Sequence, residues 1–347
     1  MPFSTGLDQK KFHQDGTCFP YSGQRSFELA TITDVARVAG VSKNTVSRYL
    51  NNRGYISQKT RDTIQEAIGL LHYQPNQIAR GLYTGHTDLV GLVIPDVIQP
   101  FFATMAFHIE EELHKRGYKM ILCDTVYSQD KERGYLDMLE AHKADGIIIG
   151  SHSTDIDYSN IKSPVVALDR NLSDTIPVVH ADHEHGGRAV AQAFINHGCH
   201  SVVQFMGYSL VRTPSAQRHR VFSDQLARHA IPCETIELDH NQFEFGTYLE
   251  VADRLLDEHP NIDGVFASDL IALAVQRQAL ARGIAVPDDL FIFGYDGSYV
   301  HQTCWPPLPT IIQPYEKMAS IIVEVLIRQI EGEPCTTMDY CIDVTVA

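Results

Sequence analysis

The stretch Thr31-Ile-Thr-Asp-Val-Ala-Arg-Val-Ala-Gly-Val-Ser-Lys-Asn-Thr-Val-Ser-Arg-Tyr-Leu50 decides how the N-terminal part of this chain folds. Thr31 and Asp34 stand at capping-box spacing, so the Thr hydroxyl can accept an orphan backbone N–H while the carboxylate reaches back to the cap. The helix they open turns Val35, Ala36 and Ala39 inward. Gly40 follows where a helix end favours positive φ, and Ser42 is placed to cap a second helix. There Val46 and Leu50 lie four apart and face inward, leaving Lys43, Asn44, Ser47 and Arg48 on the opposite side. Such donor-rich side chains suit groove edges and phosphates. Two capped helices about a tight glycine turn read as a DNA-binding helix-turn-helix. The competing reading is an ordinary helical hairpin with a solvated polar face.

The neighbouring sequence weighs against that alternative. Ser57 is a third N-cap, opening a helix whose apolar positions Ile64, Ala67, Ile68 and Leu71 recur at helical spacing. Three helices are the least that can bury a core at this size. Pro75 ends the third, and residues 76–84 form a short, weakly apolar segment, marginal as a lone helix and suited to folding on binding. Residues 1–30 mix Gly, Pro, Gln, Ser and isolated aromatics without periodicity, and read as a disordered extension.

Charge divides along the same line. The formal charge of −15 is unlike a DNA-binding protein as a whole. Residues 31–84, however, carry seven Lys/Arg against three Asp/Glu, while the chain beyond carries 18 against 37. A basic head on an acidic body concentrates phosphate attraction where the helix would dock. The seven cysteines form no CxxC pair, so reduced thiols are expected rather than a disulfide framework or a zinc site. With no spanning apolar run and no basic-then-apolar leader, the expectation is a cytoplasmic protein without a membrane partner.

From residue 88 the pattern becomes short apolar strands followed by longer amphipathic helices, which reads as α/β with parallel sheets. Strands are expected at 89–94, 119–123, 146–149 and 165–168, with helices at 102–116 and 130–142. A second series follows, with helices at 186–196, 217–229, 245–258 and 271–282 and strands at 201–206, 235–238, 264–267 and 290–293. Two similar lobes are the economical reading, with a ligand cleft beyond the carboxyl ends of their strands. Polar residues just after strands are therefore the candidates for the cleft: Asp96 with Phe101 and Phe102, Asp169 with Arg170, Ser268 with Asp269, and Asp296. Carboxylates and a guanidinium among aromatics suit a polyol, whose adjacent hydroxyls they clasp in pairs. Each residue alone serves equally as a cap or loop-structuring group.

At this point the chain resembles the lac repressor family of bacterial transcription regulators, from Thr31 almost to Ala347. The residues carrying the likeness are Asp34-Val-Ala-Arg-Val-Ala-Gly-Val-Ser42, Thr45-Val-Ser-Arg48, Tyr73-Gln-Pro-Asn-Gln-Ile-Ala-Arg80, Phe266-Ala-Ser-Asp269, Gly294-Tyr-Asp296 and Thr310-Ile-Ile-Gln313. Within the family, Asp130-Lys-Glu-Arg-Gly-Tyr-Leu-Asp-Met-Leu-Glu140, Ala167-Leu-Asp-Arg-Asn-Leu172 and Gly294-Tyr-Asp-Gly297 look most like sucrose-operon repressors. The resemblance implies a three-helix helix-turn-helix head at 31–74, a hinge helix and linker at 75–87, and a two-lobed, periplasmic-binding-protein-like core at 88–347. Lobe one would hold about 88–184 and 314–334, and lobe two about 185–313 and 335–347. DNA contacts are expected from Thr31, Ser42, Lys43, Asn44, Thr45, Ser47, Arg48 and Asn51, and in the hinge from Asn76, Ala79, Arg80 and Leu82. Leu82 would be the wedge entering a base step from the minor groove. The resemblance adds Arg218 as the arginine clasping the effector, with Asp169, Asp296, Ser268 and Asp269 along the cleft; Phe243 or Phe245 is placed to close over it, and either serves equally as core. Where relatives commonly have Gly before the aromatic of the Arg218 helix, this chain has Val221.

The implied protein is a repressor, bound as a homodimer to an inverted-repeat operator and controlled by a small sugar of sucrose or fructose type. A corepressor-dependent regulator binding a nucleobase is the alternative. A transport receptor would share the two lobes but needs a secretory signal and no helix-turn-helix. No enzyme motif is present: there is no P-loop, GxSxG or strand-linked GxGxxG, and no cofactor is expected. His180-Ala-Asp-His-Glu-His185 has the residue types of a metal cluster, but its spacing fits neither a helical pair nor a zinc finger.

Overall fold

The computed structural model describes residues 30–51, 53–74, 86–239 and 244–347. The chain divides into two compact units, one ending at Gln77 and one beginning at Ile78.

The first unit contains α1 (Ile32–Val38), α2 (Lys43–Leu50) and α3 (Gln58–Leu71). Each start is capped as its sequence dictates. Thr31 and Asp34 form the reciprocal box, Ser42 accepts from Thr45 N, and Ser57 accepts from Thr60 N. Gly40 takes φ +67° in the turn, a region that L side chains rarely occupy. Val35, Val46 and Ile64, one from each helix, are fully buried and pack with Ala36, Ala39 and Ala67. Removing one large member would leave a cavity that so small a core cannot close.

The second unit contains two six-stranded sheets. The first is built from β1 (Leu89–Ile94), β2 (Lys119–Asp124), β3 (Gly146–Ile149), β4 (Val165–Leu168), β5 (Val178–Ala181) and β11 (Asp339–Ile342), in the order β11-β5-β4-β3-β1-β2. The second is built from β6 (Val202–Met206), β7 (Cys233–Glu237), β8 (Gly264–Phe266), β9 (Phe291–Asp296), β10 (Thr310–Ile312) and β12 (Thr345–Val346), in the order β12-β10-β9-β8-β6-β7. All pairings are parallel except β10 with β12. Continuous apolar runs such as Leu89-Val-Gly-Leu-Val-Ile94 are what a sheet covered on both faces demands. The covering helices are α4 (Pro100–Lys115), α5 (Gln129–Ala141), α6 (His183–His197), α7 (Ala216–Arg228), α8 (Phe245–Glu258), α9 (Asp269–Ala281) and α10 (Tyr315–Ile330).

Two expectations are corrected here. Residues 335–347 do not all belong to the second lobe, because Asp339–Ile342 pairs with β5 of the first sheet and only Thr345–Val346 joins the second. A run of alternating apolar residues carries no mark of where it changes sheets. Helix α6 begins at His183 rather than at Gly186, since Asp182 accepts from His185 N at 2.7 Å and caps it. Gly186 and Gly187 therefore lie inside the helix, at positions where neighbours leave no room for a side chain. A Cβ on Gly187 would sit 2.5 Å from the Arg218 carbonyl oxygen, and one on Gly186 would sit 2.4 Å from the Tyr295 hydroxyl.

Candidate functional site

The carboxyl ends of the strands of both lobes meet around a cavity of about 220 Å³. Phe101 and Phe102 enter it from the start of α4 and Asp169 from the end of β4. Arg218 reaches it from α7, Ser268 from the cap of α9 and Asp296 from the end of β9. Six expected residues, remote in sequence, thus share one wall system. Asp169 adopts φ +48°, in the left-handed region that Asp tolerates, and Asp296 adopts φ +120°, a value that non-glycine residues hold only when the surroundings enforce it. Gly297 follows at φ +65°, and a Cβ there would lie 2.4 Å from the Ile312 Cα, so the loop after β9 is pressed onto β10.

Arg218 is the hub of the polar groups. Its guanidinium lies 4.1 Å from the centre of the Tyr295 ring and 3.9 Å from the Asp296 carboxylate, and its Nε is 3.3 Å from His219 Nε2. Gln204 completes the support: its Oε1 is 3.1 Å from His219 Nδ1, which therefore donates to it and leaves Nε2 to accept from Arg218. Burial, with Arg218 beside it, drives the His219 pKa well down, so this acceptor stays neutral. Asp296 also accepts from Gln313 Nε2 at 2.9 Å. Burial lifts the Asp296 carboxyl above its ordinary value, and Arg218 and Gln313 oppose the rise. Burial alone would raise Asp169 too, but His183 and Arg218 hold it below the usual carboxylate value. The cavity therefore offers acceptors on two lobes and a fixed donor between them, the pattern for clasping vicinal hydroxyls.

Three expected residues are absent from the cavity wall. Asp96 turns into its own loop, accepting from Ile98 N at 2.6 Å and from the Tyr127 hydroxyl. Arg170 is buried inside the first lobe and donates to the Ser153 carbonyl, the side chain alternating away from that of Asp169. Asp269 is buried beneath the site, accepting from the Thr310 hydroxyl at 2.6 Å and Ser298 N at 3.1 Å. Desolvation, then the nearby Asp296, raises its pKa. Phe243 lies outside the described residues.

In the head, Ser42, Lys43 and Asn44 are exposed at the start of α2, with Thr45 and Ser47 half-buried beside them. Thr31 and Ser42 use their hydroxyls as caps, and Thr45 Oγ1 lies 2.9 Å from Ser42 Oγ. Asn51 reaches back to the Ser47 carbonyl at 2.9 Å. Arg48 is exposed but bends toward the following loop, donating to the Arg53 and Tyr55 carbonyls at 3.4 Å. Asn76, Ala79, Arg80 and Leu82 lie outside the described residues.

Residues 31–76 match the family described as bacterial regulatory proteins, lacI family. Residues 87–311 match the periplasmic binding proteins and sugar binding domain of the LacI family. The chain belongs to the LacI family. Of its relatives, the sucrose operon repressor of Streptococcus mutans is 38% identical over 91% of this chain and 97% of its own. The ribose operon repressor of Halalkalibacterium halodurans is 35% identical over 90% of this chain and 94% of its own. The LacI transcriptional regulator of Alkaliphilus metalliredigens, solved with D-xylulofuranose, is 33% identical, covers 75% of this chain and 97% of its own, and superposes with a TM-score of 0.69.

This LacI-family repressor is thus a DNA-binding regulator with a sugar-binding domain, not an enzyme. Among the described residues, no helix is long and apolar enough to cross a membrane. Several cavity residues escaped the sequence reading, among them Gln313, His219, Tyr248 and His152. Gln313 stood inside a quoted family motif, but nothing marked it as facing the cleft. His219 was adjacent to Arg218, and a buried histidine behind an arginine has no sequence signature.

Proposed function

We propose that this repressor leaves its operator when an unphosphorylated sugar of sucrose or fructose type occupies the cavity between its lobes. The observation that carries this reading is the placement of Asp169 on one lobe and Asp296 on the other, with Arg218 between them. A ligand with hydroxyls on several carbons can bond all three at once, whereas an apolar ligand would take them from water and offer no hydrogen bond in return. Among the described lining residues Arg218 is the sole lysine or arginine against Asp169, Asp239 and Asp296. A phosphate group would add negative charge to a wall already acidic, at a cost of several kcal/mol per close pair at the effective dielectric of about 20 suited to such sites. Helix N-termini facing the cleft offset part of that cost, each as about half a charge.

On DNA, Lys43, Asn44 and Ser47 are the base-edge and phosphate donors of α2, and Arg48 joins them once operator displaces its loop contacts. The segment from Asn76 to Thr84 acts as the hinge, with Leu82 as its wedge. The protein works in the cytoplasm as a homodimer on an inverted repeat. Val97, Ile98, Phe107, Leu122 and Val126 are exposed apolar residues on or beside edge strand β2 and α4, a surface suited to a second copy.

The test is fluorescence anisotropy of the full chain on a palindromic duplex with a central CG step at fixed salt, with and without sucrose, fructose and their phosphates. Release by a neutral sugar and not by its phosphate is the expected result. Binding that appears only when ligand is added would favour the corepressor reading.

A further inference from the structure

Of the histidines between His180 and His185, His183 occupies the seam of the body. It is the first residue of α6, where the chain passes from the first sheet into the second lobe, and its side chain is fully buried. Its Nε2 lies 3.0 Å from the Asp169 carboxylate, and its Nδ1 lies 3.0 Å from the Tyr295 hydroxyl. A carboxylate only accepts, so Nε2 carries the proton; in the neutral ring Nδ1 then accepts, and the Tyr295 hydroxyl donates to it. Burial pushes the imidazole pKa down, in keeping with one neutral tautomer. Beyond Tyr295 the line continues, because its ring is the platform on which the Arg218 guanidinium rests at 4.1 Å. Gly186 keeps the helix clear of that phenol, since a Cβ there would lie 2.4 Å from its oxygen.

Asp169 belongs to the first lobe, while Tyr295 and Arg218 belong to the second. Asp169 and Arg218 line the cavity; His183 and Tyr295 lie beneath its floor. We propose that His183 is a positioning residue which ties the polar arms of the two lobes together, so that an effector is gripped by Asp169 and Arg218 as one unit. A ligand that shifts either arm then pulls on the other through a single buried imidazole. The proposal rests on the reading of the cavity as the effector site.

The experiment has two arms. In the first, affinities for fructose and sucrose are measured by calorimetry on the full chain and on His183→Leu, His183→Gln, Tyr295→Phe and the His183→Leu/Tyr295→Phe double variant. Operator affinity and melting are recorded separately. His183→Leu is expected to weaken sugar binding by about tenfold to a hundredfold, the usual effect of losing a hydrogen bond to a charged group. His183→Gln keeps one donor and one acceptor and is expected to recover most of the loss. Tyr295→Phe should weaken binding less and add little in the double variant, because both changes break the same line. An unchanged affinity in His183→Leu, or additive losses, overturns the proposal. The second arm reads the imidazole of sugar-free protein by ¹⁵N NMR. Protonation at Nε2 alone is expected, and an imidazolium or the Nδ1–H tautomer overturns the proposal whatever sugar is bound. If no sugar binds the unaltered chain, the functional reading fails, and a correct tautomer alone does not restore the inference.

Discussion

In the head, the polar contacts of the recognition helix are made with neighbours close in sequence: Ser42 caps at Thr45, and Asn51 reaches back to Ser47. In the cavity, His183 joins Asp169 to Tyr295, which is 112 positions away, and Gln313 meets Asp296 from the next strand of the sheet. The first arrangement forms whenever three short helices pack. The second is assembled from remote segments, and its His183–Asp169 link exists only while the two lobes hold one relation to each other. That difference suits their tasks, because a DNA-reading surface must be constant while an effector site must report a change of geometry.

The largest expected effect separates the two regions outright. Arg218→Ala removes the donor between Asp169 and Asp296 and leaves Asp296 buried without its cation. Each hydrogen bond from a charged donor to a bound hydroxyl contributes about 1.5–3 kcal/mol, so losing a guanidinium that makes two of them should lower sugar affinity at least a hundredfold while operator binding persists. Operator release by sugar at the normal concentration would remove Arg218 from the grip. Arg48→Ala should do the reverse. Its guanidinium serves the loop carbonyls of Arg53 and Tyr55, and a Cβ on Gly54 would lie 2.4 Å from it. We expect operator affinity to fall about tenfold or more, as loss of a phosphate or base contact does, with sugar affinity intact. Equal loss of both activities would show the two regions to be less separable than their contacts imply.

The same contrast explains what could be read in advance. The head was legible almost residue by residue, because caps, glycine turn and apolar spacing are local signals at Thr31, Gly40, Ser42 and Ser57. The alternation of strands and helices gave the two lobes, and the residue after a strand gave Asp169, Ser268 and Asp296. The rule failed at Asp96, Arg170 and Asp269 because it places a residue near the cleft without saying which way its side chain turns. Arg218, remote from any strand end, came from family resemblance. Gln313, His219 and the bridging role of His183 depend on contacts between remote segments, which no periodicity encodes. The change of sheet between Ile342 and Thr345 was hidden for the same reason.

Acid should weaken the cavity before it weakens the head. Burial lifts the Asp296 carboxyl above its ordinary value, so it takes a proton as the pH falls from neutral, before an exposed carboxylate would. It then loses its attraction to Arg218 and its capacity to accept on both oxygens. Sugar affinity is expected to fall over that interval in the parent and to change much less in Asp296→Asn, which starts weaker. The stability linkage has the opposite sign: a raised carboxyl contributes stability that is full below its unfolded pKa and is lost as the pH rises through its folded one. His183 and His219, both lowered, act the other way below the ordinary histidine value. Comparing the melting of the parent with Asp296→Asn at each pH cancels them. A sugar affinity that is flat between neutral and mildly acid pH would place the acceptor role elsewhere.

The smallest effect tests whether the head is as local as its contacts imply. Ser42 accepts from Thr45 N at 3.1 Å, and its replacement by Ala should cost about 1 kcal/mol of head stability. Operator affinity would then fall only a few-fold, and sugar affinity would not move. Ser42→Gly discriminates the cap from a direct phosphate contact. Glycine at an N-cap costs only a few tenths of a kcal/mol, so a purely capping role leaves Gly close to the parent and Ala behind it. A phosphate contact would be lost equally in both variants. Equal losses in Ala and Gly would mean that the hydroxyl serves the DNA rather than the helix, and that the recognition surface, like the cavity, is completed only by its ligand.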